Sequence, residues 1–420
     1  SVTLSAGNDL NARAATVDAG DALTAVAGRD LNVTVGESAY HLTEHSKQTS
    51  KGFLSGQSLE THDEVRATEA VASNFTGDKV TLLAGNDLAV RGSNVAGDGD
   101  VRLGAGNNLT IDTVEEHRQE NHQRKESKSG LMGTGGIGFT VGSQSLNTTD
   151  DGKSISHAIS TVGSSQGNLT LQAGNDLNAR SAELIAGQDM TLEGKNIAIT
   201  AAADYNEQTH KVEQKQSGFT LALSGTVGSA VNTAVETAHQ AQSSGNGRIA
   251  ALQNTKAALT GIQAAQAARL AMAQAGTPAA SDNTVGVSLS YGSQSSSSTQ
   301  HSEQTTARGG SLTAGDNVNI TATGSGAKGV DGDILMQGAT VQAGKDVNLT
   351  ANRDINLLSA QNTQQQTGSN KSSGGSVGVG IGAGSGGWGI NVSASVNKGK
   401  GSEKGNGTTH TETLVNAGDT

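Results

Sequence analysis

The pentapeptide AGNDL begins at Ala6, Ala84 and Ala173, and AGDNV at Ala314 reads as a fourth, degenerate copy. Two of these extend to one octapeptide, AGNDLNAR, at Ala6–Arg13 and Ala173–Arg180. Each copy opens a trio. Ala6, Ala19 and Ala27 begin AGNDL, AGDAL and AGRDL, and Ala84, Ala96 and Ala105 begin AGNDL, AGDGDV and AGNNL. Ala173, Ala186 and Glu193 begin AGNDL, AGQDM and EGKNI, and Ala314, Ala343 and Ala351 begin AGDNV, AGKDV and ANRDI. From first to third copy the spacing is 21, 21, 20 and 37 residues, the last stretched by GSGAKGVDG. Self-similarity at a fixed period marks a repeat architecture.

Each unit reads as a turn followed by a strand. Glycine is expected to supply a positive-φ corner, and Asn or Asp to tolerate the same region while bonding to local backbone. On this reading Gly7, Asn8, Gly85, Asn86, Gly174, Asn175, Gly315 and Asp316 are structural turns. The segments that follow, such as DLNVTV, NLTIDTV and DVNLTA, place aliphatic residues at every second position, the period of a strand with one buried face. About 20 residues per superhelical turn suits a parallel β-helix, whose strands stack about 4.8 Å apart and whose equivalent Asn side chains ladder along the axis. Composition agrees. Aromatic residues are 2% of the chain and Gly numbers 58, so large side chains are too scarce for a thick core. Small aliphatics stacked rung on rung make a thin one.

Between the coil blocks lie polar tracts leading into stretches where apolar residues alternate with Gly, Ser or Thr. The fourth is clearest: Val377, Val379 and Ile381 share a face, a Gly-rich turn follows, and Trp388, Ile390 and Val392 share a face on the return. This is a β-hairpin with one apolar side. Such faces either lie down on the coil or meet a membrane or partner. The expected organisation is coil over 1–36, 80–114, 169–202 and 311–360, and arms over 37–79, 115–168, 203–310 and 361–413. Residues 414–420 begin a further block. Within the third arm, 226–278 reads as an inserted α-helical hairpin, with Ser229–Gln242 and Arg248–Gln274 as its helices. Both chain ends read as cuts inside a longer array.

Several motifs point to chemistry and lose to plainer readings. HLTEH (His41–His45) matches an inverted zincin pattern, but the corresponding tracts of the other arms lack it. GTGGIG (Gly133–Gly138) and GAGSGG (Gly382–Gly387) match a dinucleotide fingerprint without the strand-then-helix context that it needs. GDGD (Gly97–Asp100) and VDGD (Val330–Asp333) lack the tandem copies of a calcium roll. No catalytic, metal-ligating or cofactor-binding residue is assigned, and no cofactor is implied. A net charge of −11 argues against a nucleic-acid partner, and the absence of Cys removes disulfides and thiolate chemistry.

The AGNDL/AGRDL…LNVTV units, the polar arms leading into SGF and the Ala-rich insert together resemble the haemagglutinin repeats of filamentous-haemagglutinin-type exoproteins. The resemblance is greatest to the repeat region in the C-terminal half of contact-dependent growth inhibition exoproteins. It covers essentially the whole chain. It implies an all-β, right-handed parallel β-helix, the hand expected of parallel crossovers. It also implies a secreted, non-enzymatic stalk or interaction segment on a Gram-negative cell surface. The implied partners are an outer-membrane transporter, engaged through a domain outside this chain, and a target-cell surface or outer membrane. An adhesin is the alternative role. A β-helical polysaccharide-acting enzyme is a remote one.

Overall fold

A computed structural model describes residues 1–133, 138–224, 283–384 and 387–418. The expected helical hairpin at 226–278 lies outside these residues. Among the described residues every regular element is a strand, and the strands form four sheets of eight.

Three of the sheets are parallel and make the coil. Sheet A contains Val2–Ala6, Ala22–Ala27, Lys79–Ala84, Val101–Ala105, Leu169–Ala173, Met190–Gly194, Val318–Ala322 and Val347–Ala351. Sheet B contains Leu10–Arg13, Leu31–Thr34, Leu88–Arg91, Leu109–Asp112, Asp176–Arg180, Asn196–Thr200, Ile334–Gln337 and Ile355–Leu358. Sheet C contains Thr16–Asp18, Asn74–Gly77, Asn94–Gly97, Thr161–Ser164, Glu183–Ala186, Ser311–Ala314, Thr340–Ala343 and Leu414–Ala417. The chain visits A, B and C in turn, so each block of sequence supplies two rungs. Strands Asn74–Gly77 and Thr161–Ser164 belong to the coil although they fall within 37–79 and 115–168.

Alternation sends every second side chain inward, and the parallel register stacks like on like. The leucine of AGNDL starts a column through sheet B, in which Leu10, Leu31, Leu88, Leu109, Leu177, Ile197, Ile334 and Ile355 are successive neighbours. Leu82, Leu103, Leu171, Leu192 and Ile320 form a column in sheet A. Sheet C adds a single large buried side chain per rung, Phe75, Val95, Val162, Leu184, Leu312 and Val341 among them. A leucine withdrawn from water contributes roughly 1.5–3 kcal/mol, and repetition over the rungs makes up for a core only a few residues wide.

The turns correct the expectation in two ways. Gly7, Gly85, Gly174 and Gly315 do not have positive φ; at the B-to-C corner Ala14, Gly92, Ser181 and Gly338 do. At the inner A-to-B corners glycine is favoured because rungs stack too closely for a side chain, whereas Gly7 on the first rung has open space and Asn352 takes this place on the last. A Cβ on Gly85 would lie 2.2 Å from the Gly28 carbonyl oxygen, and one on Gly174 2.0 Å from that of Gly106. The fourth block is also out of phase. Gly315 and Asp316 follow a sheet C strand and turn into sheet A, whereas Gly7, Gly85 and Gly174 turn from A into B. The true A-to-B counterpart in that block is the stretched passage 323–333, so the two turn types share one motif.

The fourth sheet is antiparallel. Four hairpins leave the coil between sheets B and C on alternate rungs: Gly36–Lys51 with Ser55–Val71, Val114–Gly133 with Gly138–Ala158, Ala202–Ser224 with Asn283–Arg308, and Ala360–Gly384 with Gly387–Thr411. Each arm also pairs with the next along its length. The geometry follows from one spacing. Coil rungs and sheet strands both repeat at about 4.8 Å, so an arm of two strands every second rung supplies one strand per rung. Four arms therefore join edge to edge.

Candidate interaction surface

The arm sheet has two different faces toward its far end. Register aligns Val392, Val379, Leu289, Leu221 and Phe139 in one row. Ala394, Val377, Tyr291, Phe219, Val141 and Leu131 form a second, and Ile390, Ile381 and Val287 a third. All these side chains point to one side. Opposite them stand Ser393, Gly378, Ser290, Thr220 and Thr140. The apolar side is not laid on the coil, the first of the two arrangements considered above: Val377 is 62% exposed, Ile390 75% and Trp388 82%. Val379, Ile381 and Val392 are exposed as well. Phe219 and Tyr291 pack across the strands with ring centroids 4.8 Å apart. Single exposed apolar residues are ordinary, whereas a contiguous patch over six strands makes this side the candidate interaction surface.

Nearer the coil, the seams between arms carry imidazole–carboxylate pairs. His122 Nδ1 lies 2.8 Å from Asp63 Oδ1, joining arms one and two. His157, buried at the base, lies 2.8 Å from Asp204 Oδ1 and joins arms two and three, as do His210 and Asp150. The Asp63 carboxylate holds the His122 imidazole above its usual range, with Glu120 adding to the effect and burial opposing it. Within the first two arms, Arg66 lowers Glu64 and Arg118 lowers Glu120, in each case chiefly through a side-chain hydrogen bond.

At the A-to-B corner of the coil, away from the arms, the predicted turn residues build a side-chain ladder. Asp30 accepts the Asn86 amide at 2.9 Å, Asp87 the Asn107 amide at 2.9 Å, and Asn108 the Asn175 amide at 3.0 Å. Arg29 binds Asp9 in the same way on the first rung, and Arg353 binds Asp333 further along. At this corner the ladder thus runs mostly from Asn to the Asx one place further on in the neighbouring rung, with Asn196 bonding its own stacked partner Asp176. Within the strands equivalent Asn residues do ladder, Asn32 to Asn11, Asn94 to Asn74 and Asn348 to Asn319.

Sequence reasoning missed three features. Ser73, Ser93, Ser160 and Ser181 are buried at the B-to-C corner, where their hydroxyls satisfy backbone groups of the strands entering and leaving it, Ser73 Oγ donating to Thr34 O at 2.6 Å. A serine one or two places before four of the sheet C strands was the available signal. The seam pairs and a cluster of Glu207, His301 and Glu303 had no sequence signal, because register alone unites them.

The tempting motifs all fall on strands or turns. His41 and His45 share a face of Gly36–Lys51, with Glu44 on the other side. Gly133 and Gly138 end and begin the strands of arm two, and Gly384 and Gly387 those of arm four. Asp98 and Asp100 lie at a C-to-A turn, where Asp100 accepts the Asn168 amide at 3.1 Å.

The hemagglutinin repeat family matches residues 1–62, 54–218, 167–271 and 289–420. The chain is 48% identical over 397 residues to the 16S rRNA endonuclease CdiA of Enterobacter cloacae, which covers 94% of this chain and 12% of that protein. It is 45% identical over 412 residues to a tRNA nuclease CdiA of Escherichia coli, covering 97% of this chain and again 12% of the relative. Over 336 residues it is 48% identical to the deoxyribonuclease CdiA of Yersinia pseudotuberculosis, covering 80% of this chain and 30% of the relative. The chain therefore spans a small part of the curated relatives that it matches. No solved structure matches it.

Proposed function

The chain belongs to the hemagglutinin repeat family, and on that premise we propose that it is a stalk-and-arm segment of a secreted contact-dependent growth inhibition exoprotein, displayed at a Gram-negative cell surface. Its coil, read as right-handed, gives reach. Its arms present a surface that helps carry an effector into a neighbouring cell. The parent protein's partner for export is an outer-membrane transporter, engaged through residues outside this chain.

The names of the relatives support a non-enzymatic role. One is a 16S rRNA endonuclease, another a tRNA nuclease and a third a deoxyribonuclease, yet all share this segment at 45–48% identity. Activities that differ while a segment stays alike are best assigned elsewhere in those proteins.

The observation that carries the delivery reading is the exposed apolar side of the arm sheet. The stretches that alternate an apolar side with a Gly/Ser side, SVGVGIGAG and WGINVSASV, approach the ~9–11 residues that cross a bilayer and share the pattern of membrane β-strands. Liposome flotation tests it. The segment should float with vesicles of outer-membrane lipid, and Trp388→Asp with Ile390→Asp should leave it in the soluble fraction. Absence of lipid association at every lipid composition would end the membrane role. In the parent exoprotein, excision of arms three and four should then preserve surface display while abolishing inhibition of neighbouring cells.

A further inference from the structure

Near the base of arm three, Glu207 and Glu303 face each other directly across the strand pair, and His301 stands two residues from Glu303 on the same side. One ligand atom from each of the three lies within 4.8 Å of the other two. Like charges directly opposite on antiparallel strands are destabilising. Among the described residues, the ion pair made by this trio is internal, His301 Nε2 to Glu303 Oε1 at 3.0 Å. Among the described residues no Lys or Arg nitrogen lies within 4.0 Å of the two carboxylates, although Lys153 stands opposite Glu207 on the adjoining strand of arm two.

A second layer holds two of the three side chains, His301 and Glu207. Thr209, directly opposite His301, places its hydroxyl 2.8 Å from His301 Nδ1, which leaves Nε2 directed at the carboxylates. The Tyr205 hydroxyl donates to Glu207 Oε2 at 3.0 Å, leaving Oε1 available. An imidazole nitrogen and two carboxylate oxygens, with the imidazole and Glu207 oriented by outer partners, are the parts of a three-residue cation site.

We propose that Glu207, His301 and Glu303 bind a late first-row divalent cation of the zinc class. The mixed nitrogen and oxygen donors favour such a metal over calcium or magnesium, which take oxygen alone. Donors bound at ~2.0–2.2 Å around a tetrahedral ion would draw closer than they now stand, through side-chain rotation on a rigid strand pair. The three ligands leave a fourth position to water. The ion would neutralise the opposed carboxylates and clamp the two strands of arm three near their base.

Titration of the metal-free segment with Zn2+ alone, followed by calorimetry, should show saturable binding that is lost in the His301→Ala/Glu303→Gln double variant. Co2+ should give the visible absorption of a four-coordinate centre, and Zn2+ should displace it. Thr209→Val, which keeps all three ligands, should weaken binding about tenfold or more. His122→Ala, at a different imidazole–carboxylate pair, should leave binding unchanged. Far-ultraviolet dichroism identifies any variant that fails to fold, and in that case Thr209→Val decides. Lack of saturable binding in the parent segment, or binding that survives in the folded double variant, overturns the assignment.

Discussion

Asn86 donates its side-chain amide to the Asp30 carboxylate at 2.9 Å, across 56 residues of sequence and a single step of the coil. The same carboxylate oxygen accepts the backbone N–H of Asp87. One Asx side chain thus satisfies two donors of the next rung, and the arrangement repeats when Asp87 receives Asn107 and Asn108. Replacing Asp87 with Ala removes the acceptor for both, which should cost about 1–3 kcal/mol. Asp87→Asn should be nearly silent, since Asn108 fills the corresponding place one rung on and accepts from Asn175 and Asp176. Denaturant midpoints of the two variants check the difference.

Glycine at the same corner answers to sterics. Gly85→Ala would put a methyl group 2.2 Å from the Gly28 carbonyl oxygen, while Gly20→Ala meets nothing within 4 Å. Neither glycine has a positive φ, so backbone strain does not separate them. Gly85→Ala should lower stability by about 1–3 kcal/mol or more, and Gly20→Ala should stay within ~0.5 kcal/mol. Equal effects in thermal melts would reject the close-stacking account.

The coil was legible because two signals coincide in it. Period-two aliphatics such as Leu88 and Val90 specify a buried strand face, and the Gly-Asx pair before them specifies where the chain turns. The phase of the fourth block was not legible. Ala314 begins a sequence that serves a C-to-A turn as well as an A-to-B one, and only pairing partners separate the two. The apolar sides of the arms were legible from alternation at Val377–Ile381, but their joining into one sheet was not, since it depends on rung spacing set far away in the coil. Glu207 and His301 are separated in sequence by the whole 225–282 passage, so their approach depends on register across that gap.

His122 gives one seam a pH dependence. Its folded-state pKa is raised above the ordinary 6.5, first by the hydrogen bond to Asp63. A raised pKa contributes stability that is fully present below about 6.5 and is lost as pH rises through the folded value. Arms one and two should therefore separate more readily at pH 8 than at pH 5.5. The effect should stay under about 1 kcal/mol, because both side chains are nearly half exposed and solvent screens them. Hydrogen exchange of the amides at Thr61–Val65 reports it, and His122→Gln should remove the difference.

The pairing of arms depends on counting rungs, and deletions test that dependence. Removing Leu88–Asn108 joins Asp87 to Leu109 and takes out a single turn, because Leu88 and Leu109 are stacked neighbours in sheet B. Arms one and two would then leave adjacent rungs, where about 4.8 Å is available for an arm that needs about 9.6 Å. The coil columns stay matched while the seam at Asp63–His122 cannot form. Removing Leu31–Asn108 takes out two turns together with the first arm, and the remaining arms keep their alternate places. Limited proteolysis should find the arms of the first variant cleaved early and those of the second as resistant as in the parent. If both variants resist equally, the arms hold together without help from the rung spacing, and the commensurate geometry is incidental.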